Sequence, residues 1–449
     1  MCFNIMFAVE RIKRNVAAAI SEEAIEQACR QAKHSWRKRE LSPAQTIWAF
    51  LLQVLHGNTA CRHVLWLAQL TCSATAYCRA RGRIPLAVYE QLLAHTTRIA
   101  RGTTAAPSWH GHRTFVIDGT GISMPDTAPL RAHFGAPGQQ RPGCSFPVAH
   151  LLAMFDAATG LLIEAWTGPL RSHDLRGAAQ LHPALAAGDV LLGDTAFASY
   201  GHLALLSRQN LHGVFRSHQR QLVSFRADRR LTGKLPKGTK ATHASSRLLR
   251  KLGRYDQLVE YQRGTNNPSW MSADEWRALP ATLVVRELRY WTKQPGFRSR
   301  AITLVTTLVD AQRYPLDELA ALYGRRWGVE TNFAHLKTTM KMDVLRCETV
   351  AGVQKELLIF ALVYNLIRLV MLAAAQRQGV SVARVSFLDA LRWLSEACTH
   401  CPELELALNP DRHGRCEPRV KKRRAKEYTL MTLPRDQLRK QLTTHKVTA

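Results

Sequence analysis

The spacing of apolar positions changes character along the chain. Up to about residue 110 they recur at helical spacing, from about Pro107 they gather into short runs separated by turns, and beyond Tyr314 the helical spacing returns. Ser21-Glu22-Glu23 places a cap and two acids at a helix start. Ser42-Pro43-Ala44-Gln45 combines a capping box with Pro at a first helical position; the apolar run Ile47 to Leu55 follows, and Gly57 ends it. Arg113 to Thr120 predicts a strand ending in Asp118 and a glycine turn. Val148 to Phe155 and Leu161 to Trp166 predict two more strands, joined by the hairpin-like turn 156–160. A helix is expected from Asp174 to Leu181, then a strand, Asp189 to Gly193, ending at Asp194. A helix from about Tyr200 and a fifth strand, Gly213 to Arg216, complete this part.

The stretch 218–305 interrupts the alternation. Its strand-like runs are Leu258 to Gln262, Ala281 to Tyr290 and Ala301 to Val309, the last straddling the return. Tyr314-Pro315 opens the next helical region, which Gly324 and Gly328 threaten to break. Val353 to Ala375 is long and apolar, but Gln354, Lys355, Glu356, Asn365 and Arg368 interrupt it, so a buried helix is expected rather than a membrane span. The pattern divides the chain into 1–110 (helical), 111–217 (first part of an α/β, or α+β, core), 218–305 (β-rich insertion), 306–380 (second part of the core) and 381–449 (basic, helical).

Charge changes the picture most. The 449 residues carry 62 Lys or Arg against 34 Asp or Glu, a net charge of +28, and a polyanion is the expected partner. The basic residues cluster. Arg37-Lys38-Arg39 and Arg79, Arg81 and Arg83 lie at helix ends, where they suit phosphate contact. The insertion carries Arg226, Arg229, Arg230, Lys234, Lys237, Lys240, Arg247, Arg250, Lys251 and Arg254 with few acids. Arg412 to Lys426 forms an electrostatic arm or a basic helix. The ten cysteines are scattered through a chain long enough to fold without staples, which predicts reduced thiols in a cytoplasm, and the opening MCFNIMFAVERIKR has too short an apolar run for a secretory signal. Cys398, Cys401, His413 and Cys416 have the spacing of a zinc site, but no aromatic between them could pack a small finger core.

The candidate chemistry centres on Tyr323 to Lys337, YGRRWGVETNFAHLK. Arg326 lies three residues after Tyr323, Glu330 seven and Lys337 fourteen. On one helix, at about 100° per residue, these four side chains fall within roughly 60°. Leu322, Val329, Phe333, Leu336 and Met340 make an adjacent apolar stripe that can dock on a core. The neighbouring face then presents one carboxylate flanked by two cations and a phenol. Glu330 on a packed helix, with Asp118 and Asp194 at strand ends, makes three carboxylates able to hold two Mg2+ ions (Mn2+ as a substitute) for in-line phosphoryl displacement. A strand-end Asp alone is commonly just a turn residue, and a charged helix face is commonly just solvated.

Tyr, two residues, Arg, three, Glu, six, Lys is the YREK signature of the insertion sequence four family of DDE transposases, and this chain resembles that family from about residue 35 to 435. IDGTGISMPDT and LLGDTAFASY are similar to the segments of its first two catalytic acids, and RPGCSFPVAHLLAMFDAATG to the stretch between them. The resemblance implies an RNase H-like core with a β-rich insertion between the second acid and the Glu, behind a helical N-terminal domain that binds transposon ends. It implies Asp118, Asp194 and Glu330 as catalytic metal ligands, and Tyr323, Arg326 and Lys337 as the grip on the DNA end. The activity it implies is cleavage of terminal inverted repeats and strand transfer into target DNA, by a homodimer at synapsis, in a bacterial cytoplasm at the nucleoid, with no membrane. The family often uses a Trp outside this helix to stack on a flipped base; Trp270, Trp276 and Trp291 lie in the insertion without a matching context, and the role stays open. The alternatives are a metal-dependent nuclease on the same fold and a domesticated DNA-binding protein without catalysis.

Overall fold

The computed structural model describes residues 14–37, 39–103, 109–138, 143–231, 238, 240–292, 300–396, 404–410 and 431–447. The four residues with zinc-site spacing and the basic arm Arg412 to Lys426 lie outside them. The N-terminal region is helical as expected: α1 (Arg14–Ala19), α2 (Glu22–Gln31), α3 (Pro43–Leu55), α4 (Cys61–Leu67), α5 (Ala74–Arg83) and α6 (Leu86–Thr103). Ser21 and Ser42 cap their helices, accepting from the N–H groups of Ala24 and Gln45 at 3.2 Å each.

A mixed sheet of nine strands follows, in the order β3-β2-β1-β4-β5-β9-β8-β7-β6. Its first half comprises β1 (Thr114–Ser123), α7 (Ala128–Phe134), β2 (Val148–Asp156), β3 (Leu162–Pro169), α8 (Asp174–Leu181), β4 (Val190–Gly193), α9 (Tyr200–Arg208) and β5 (His212–Arg216). β1 to β3 form the antiparallel meander read from the sequence, and β4 and β5 add in parallel. The insertion supplies β6 (Arg247–Gly253), β7 (Asp256–Gln262), α10 (Ala273–Arg277), β8 (Thr282–Thr292) and β9 (Arg300–Thr306). Because β9 pairs with β5, these strands extend the core sheet. β6 was not expected as a strand. It is the outer edge, largely exposed, and Arg247, Arg250 and Lys251 hide its pattern while blunting the edge against unwanted pairing.

The insertion is tied to the helices that follow. Arg286 on β8 is fully buried; it pairs with Asp256 on β7, its Nε donating to Oδ1 at 2.8 Å, and its Nη1 donates to the carbonyl of Tyr314 at 2.6 Å. Tyr314 precedes α11 (Leu316–Gly324), for which Pro315 is the N-cap rather than the first helical residue. A 3-10 turn (Arg325–Trp327), α12 (Gly328–Ala334) and a π turn (His335–Thr339) come next. The single helix expected through the YREK positions is thus broken at both ends of α12. Gly328 and the π turn are where the regular ladder gives way.

α13 (Val350–Gln378) runs through the interior, packed against α3, α6, β3 and α14 (Phe387–Glu396); the last element is α15 (Arg435–Val447). By length and composition α13 could cross a membrane, contrary to the expectation that its polar residues forbid this. Burial decides: 83% of its most apolar window is covered by the fold. The polar residues are its anchors. Asn365 accepts from Leu162 N–H and donates to Leu162 O, at 2.8 Å each, and Arg368 Nε donates to Thr159 O at 3.1 Å. Gly160, at φ +71°, closes the β2–β3 turn against the Arg368 guanidinium, where a Cβ would lie 2.1 Å from a nitrogen. Glu356 accepts from Arg346 and Cys347 N–H and from Asn58, which fixes the loop before α13.

Candidate active site

The site starts with the register of β1 and β4. Thr114, Phe115 and Val116 lie opposite Val190, Leu191 and Leu192. Continued by two residues, this parallel pairing sets Asp118 opposite Asp194, on the same face of strands about 4.8 Å apart. β4 stops at Gly193, so between Val116 and Ser123 no described strand pairs with the edge of β1 facing it. Asp118 therefore does not end its strand, as the sequence suggested. It is the fifth of ten residues, because β2 continues to pair with β1 as far as Ser123. The acid is exposed to chemistry by the end of its neighbour rather than by a turn of its own.

Both aspartates are braced. Gly119 N–H donates to Asp118 Oδ1 at 2.8 Å. Asp194 caps the short 3-10 turn Thr195–Phe197, accepting from Ala196 N–H at 2.8 Å. That turn packs tightly: a Cβ on Gly193 would meet the Phe197 ring at 2.7 Å. Beneath it, the fully buried His202 donates from Nδ1 to Phe197 O at 2.8 Å. Burial pushes the Asp118 carboxyl above its ordinary value; Asp194 and Glu330 push the same way, against Gly119 N–H and Arg326.

The apolar stripe behaves as read. Leu322, Val329, Phe333, Leu336 and Met340 are all buried. The polar face does not. Tyr323 and Arg326 are buried rather than presented, while the Glu330 side chain remains 61% exposed. The Arg326 guanidinium lies between two of the acids, with Nη1 3.5 Å from Asp118 Oδ2 and Nη2 4.0 Å from Glu330 Oε1. Its Nε is buried without a partner. Tyr323 sits beside Arg326, Arg216 and Asp194, and burial raises its phenol. Lys337 is separated from Glu330, as the spacing requires. It donates instead to Thr120 Oγ1 and Gly121 O on β1, at 3.0 Å each. Residues 343–345 also hang on the end of β1, through Ser123 N–H to Asp343 O at 3.1 Å and Leu345 N–H to Ser123 O at 2.9 Å.

The structure therefore gathers Asp118, Asp194, Tyr323, Arg326 and Glu330, and sets Lys337 along the same strand. Among the described residues no three His, Cys, Asp or Glu side chains close on one ion. The donor set nevertheless fits a hard divalent cation: all the ligand atoms are carboxylate oxygens, and a positive charge, that of Arg326, already stands among them. The sequence reading missed Trp327. It is 55% exposed at the rim and lies over the Arg326 guanidinium at 4.5 Å. Its place next to Arg326 in the signature was the available signal. Trp270 and Trp276 are buried and pack against Gly201, while Trp291 meets Tyr255 edge to face.

Comparison with known proteins shows the family. The transposase DDE domain family model matches residues 109–366, more than half of the chain, from the approach to β1 into α13 and through every candidate residue. The transposase InsG of insertion sequence element IS4 from Escherichia coli K12 is 25% identical over 424 residues, covering 87% of this chain and 88% of that protein. The putative transposase InsZ of the same organism is 28% identical over 138 residues, covering 30% and 46%. A solved structure, the piggyBac transposase synaptic complex with hairpin DNA, aligns at a TM-score of 0.44 and 11% identity, over 88% of this chain and 78% of that one. The class these observations define is a polynucleotidyl transferase, and the chain belongs to the DDE transposase family. Within that class it is a DNA transposase of the IS4 family. Use of divalent metal ions is general to such enzymes.

Proposed function

We propose that Asp118, Asp194 and Glu330 hold two Mg2+ ions, and that Tyr323, Arg326 and Lys337 hold the transposon end beside them, on an RNase H-like core. The observation that carries this reading is the register that sets Asp118 opposite Asp194, with Arg326 reaching both Asp118 and Glu330. When bound, the ions supply Lewis acidity, activating a water or 3′ hydroxyl and stabilising the leaving oxygen. The remaining work belongs to this chain. Arg326 offers a planar fork to a phosphate, Lys337 a point charge and Tyr323 a hydroxyl. Lys337 also clips β1 just beyond Asp118, so it holds the acid's strand in place. Trp327 offers an exposed aromatic face on which a base at the DNA end can stack. In a magnesium titration of strand transfer with pre-cleaved ends, two ions give a rate rising with about the second power of concentration at the low end. A first-power rise overturns the two-ion reading.

The division of the chain at 110, 217, 305 and 380 belongs to the same proposal, with terminal inverted repeats and target DNA as partners and a homodimer at synapsis. The likeness to a bacterial insertion-sequence transposase supports a cytoplasmic protein acting at the nucleoid. The insertion adds a phosphate-binding surface. Arg229, Arg247 and Lys251 are engaged within the protein, by Ser224 and Ser246, by Glu260, and by Phe225 O and Gln257. Arg230, Lys240, Arg250 and Arg254 are exposed. Replacing these four by Gln is expected to weaken DNA binding across sequences and to make the slope of log K against log salt shallower by about 3 to 4. An unchanged slope removes these four side chains from the DNA contacts.

A further inference from the structure

Away from the acids, a cleft of about 500 Å3 separates the N-terminal helices from the loop that leads into α13. Gln53, Cys61, Cys78, Arg81, Cys347 and Lys355 are among its lining residues. Cys61 opens α4 and Cys78 lies on α5, and their sulfurs approach to 3.4 Å. We infer that Cys61 and Cys78 form an oxidisable thiol pair, in which Cys78 takes up a low-molecular-weight disulfide and Cys61 resolves it into an intramolecular disulfide between α4 and α5.

The roles follow from exposure and proton affinity. Cys78 is the exposed member of the pair; Cys61 is half-buried, and burial together with the neighbouring thiol pushes its proton affinity up. Cys78 as thiolate attacks one sulfur of the incoming disulfide, forming a mixed disulfide and releasing one thiolate. Cys61 then loses its proton to solvent and attacks the Cys78 sulfur, releasing the second thiolate. The pair gives up two electrons and the small disulfide is reduced to two thiols.

The other described cysteines compete poorly. Cys29 and Cys144 are buried, and Cys72 is half-buried away from the pair. Cys347 accepts from Arg81 Nη2 at 3.2 Å, which favours its thiolate, but burial and Glu356 outweigh this and raise its proton affinity. A soft metal is a weaker occupant, because no third His, Cys, Asp or Glu joins the pair among the described residues. Closure to a bond of about 2.05 Å requires the sulfurs to approach by roughly 1.4 Å. α4 can yield by that much: it has seven residues, and Ala60 before it gives no side-chain cap. In a reducing cytoplasm the pair rests as thiols and responds to a rise in the disulfide pool.

The test uses the full chain, oxidised glutathione at neutral pH, quenching with iodoacetamide and peptide mass spectrometry. The expected product is a peptide pair joined through Cys61 and Cys78, formed before Cys29, Cys72, Cys144 or Cys347 loses its alkylation, and reversed by dithiothreitol. In Cys61→Ser, Cys78 accumulates as the glutathione mixed disulfide; in Cys78→Ser, Cys61 stays alkylatable. The inference is overturned if Cys61 and Cys78 remain alkylated while the other four oxidise, if Cys78 links elsewhere, or if Cys61 takes up glutathione in Cys78→Ser as fast as Cys78 does in Cys61→Ser.

Discussion

Asp118→Ala, Asp194→Ala and Glu330→Gln are each expected to lower cleavage of transposon ends in magnesium at least about 10³-fold, roughly 4 kcal/mol of transition-state stabilisation. Binding of end DNA should be largely spared. The three losses share a cause but differ in side effects. Asp194→Ala also removes the cap of the 195–197 turn, a structural cost of about 1 kcal/mol, so Asp194→Asn is the companion variant that keeps a side-chain acceptor for Ala196 N–H. Asp118→Ala leaves the Arg326 guanidinium with only the more distant Glu330 of its two acids. Glu330 is exposed, and its replacement should leave the melting temperature unchanged. Cleavage assays beside gel shifts in calcium separate chemistry from binding, and near wild-type cleavage by any one variant removes that residue from the ligand set. Acid should mimic the loss of Asp118. The Asp118 carboxyl is raised by burial and by its acidic neighbours, so it takes up a proton, and stops binding an ion, at a higher pH than an ordinary aspartate.

The sequence was most legible where the signal is local and periodic. The strand-turn-strand run through 156–160, the helix from Asp174 to Leu181 and the apolar stripe from Leu322 to Met340 are set by neighbours a few residues apart. The YREK spacing singled out side chains that the structure brings near Asp118 and β1, but not their disposition. A helical wheel assumes an unbroken ladder, and the 3-10 turn at Arg325–Trp327 and the π turn at His335–Thr339 break it, turning Arg326 inward and Lys337 onto β1. Asp118 was placed at a strand end because its partners were out of sight. Which strand stops beside it depends on β4, more than seventy residues away in the chain, and which continues depends on β2. β6 escaped because an edge strand with charged residues has no buried face to mark it. The polar residues inside α13 were taken as evidence against a long apolar span, whereas Asn365 and Arg368 are buried and bonded to the β2–β3 hairpin that the helix holds, and Glu356 is buried and bonded to the loop before the helix.

Arg326→Ala is expected to act in opposite directions on the site's two ligands. The guanidinium lies at ion-pair distance from Asp118 and at the limit of it from Glu330, neither contact is a close hydrogen bond, and its Nε has no partner. A cation held this loosely competes with any other cation for the same carboxylates. Without it, the acids repel one another more strongly, and DNA-free binding of calcium or magnesium, measured by isothermal titration calorimetry, should tighten by about tenfold, or 1.4 kcal/mol. End DNA should bind more weakly by about 1.5–3 kcal/mol, the scale of a hydrogen bond to a charged group. Arg326→Lys should not restore end binding, because an ammonium cannot offer the planar fork in the same space beneath Trp327. On the proposed reading, ions on the carboxylates would free the guanidinium from them for a phosphate. The resting contacts and the DNA contacts are then successive uses of one side chain. If ion affinity is unchanged or falls in Arg326→Ala, the guanidinium is a structural brace and not a competitor. If end binding is also normal, the helix face takes no part in gripping DNA.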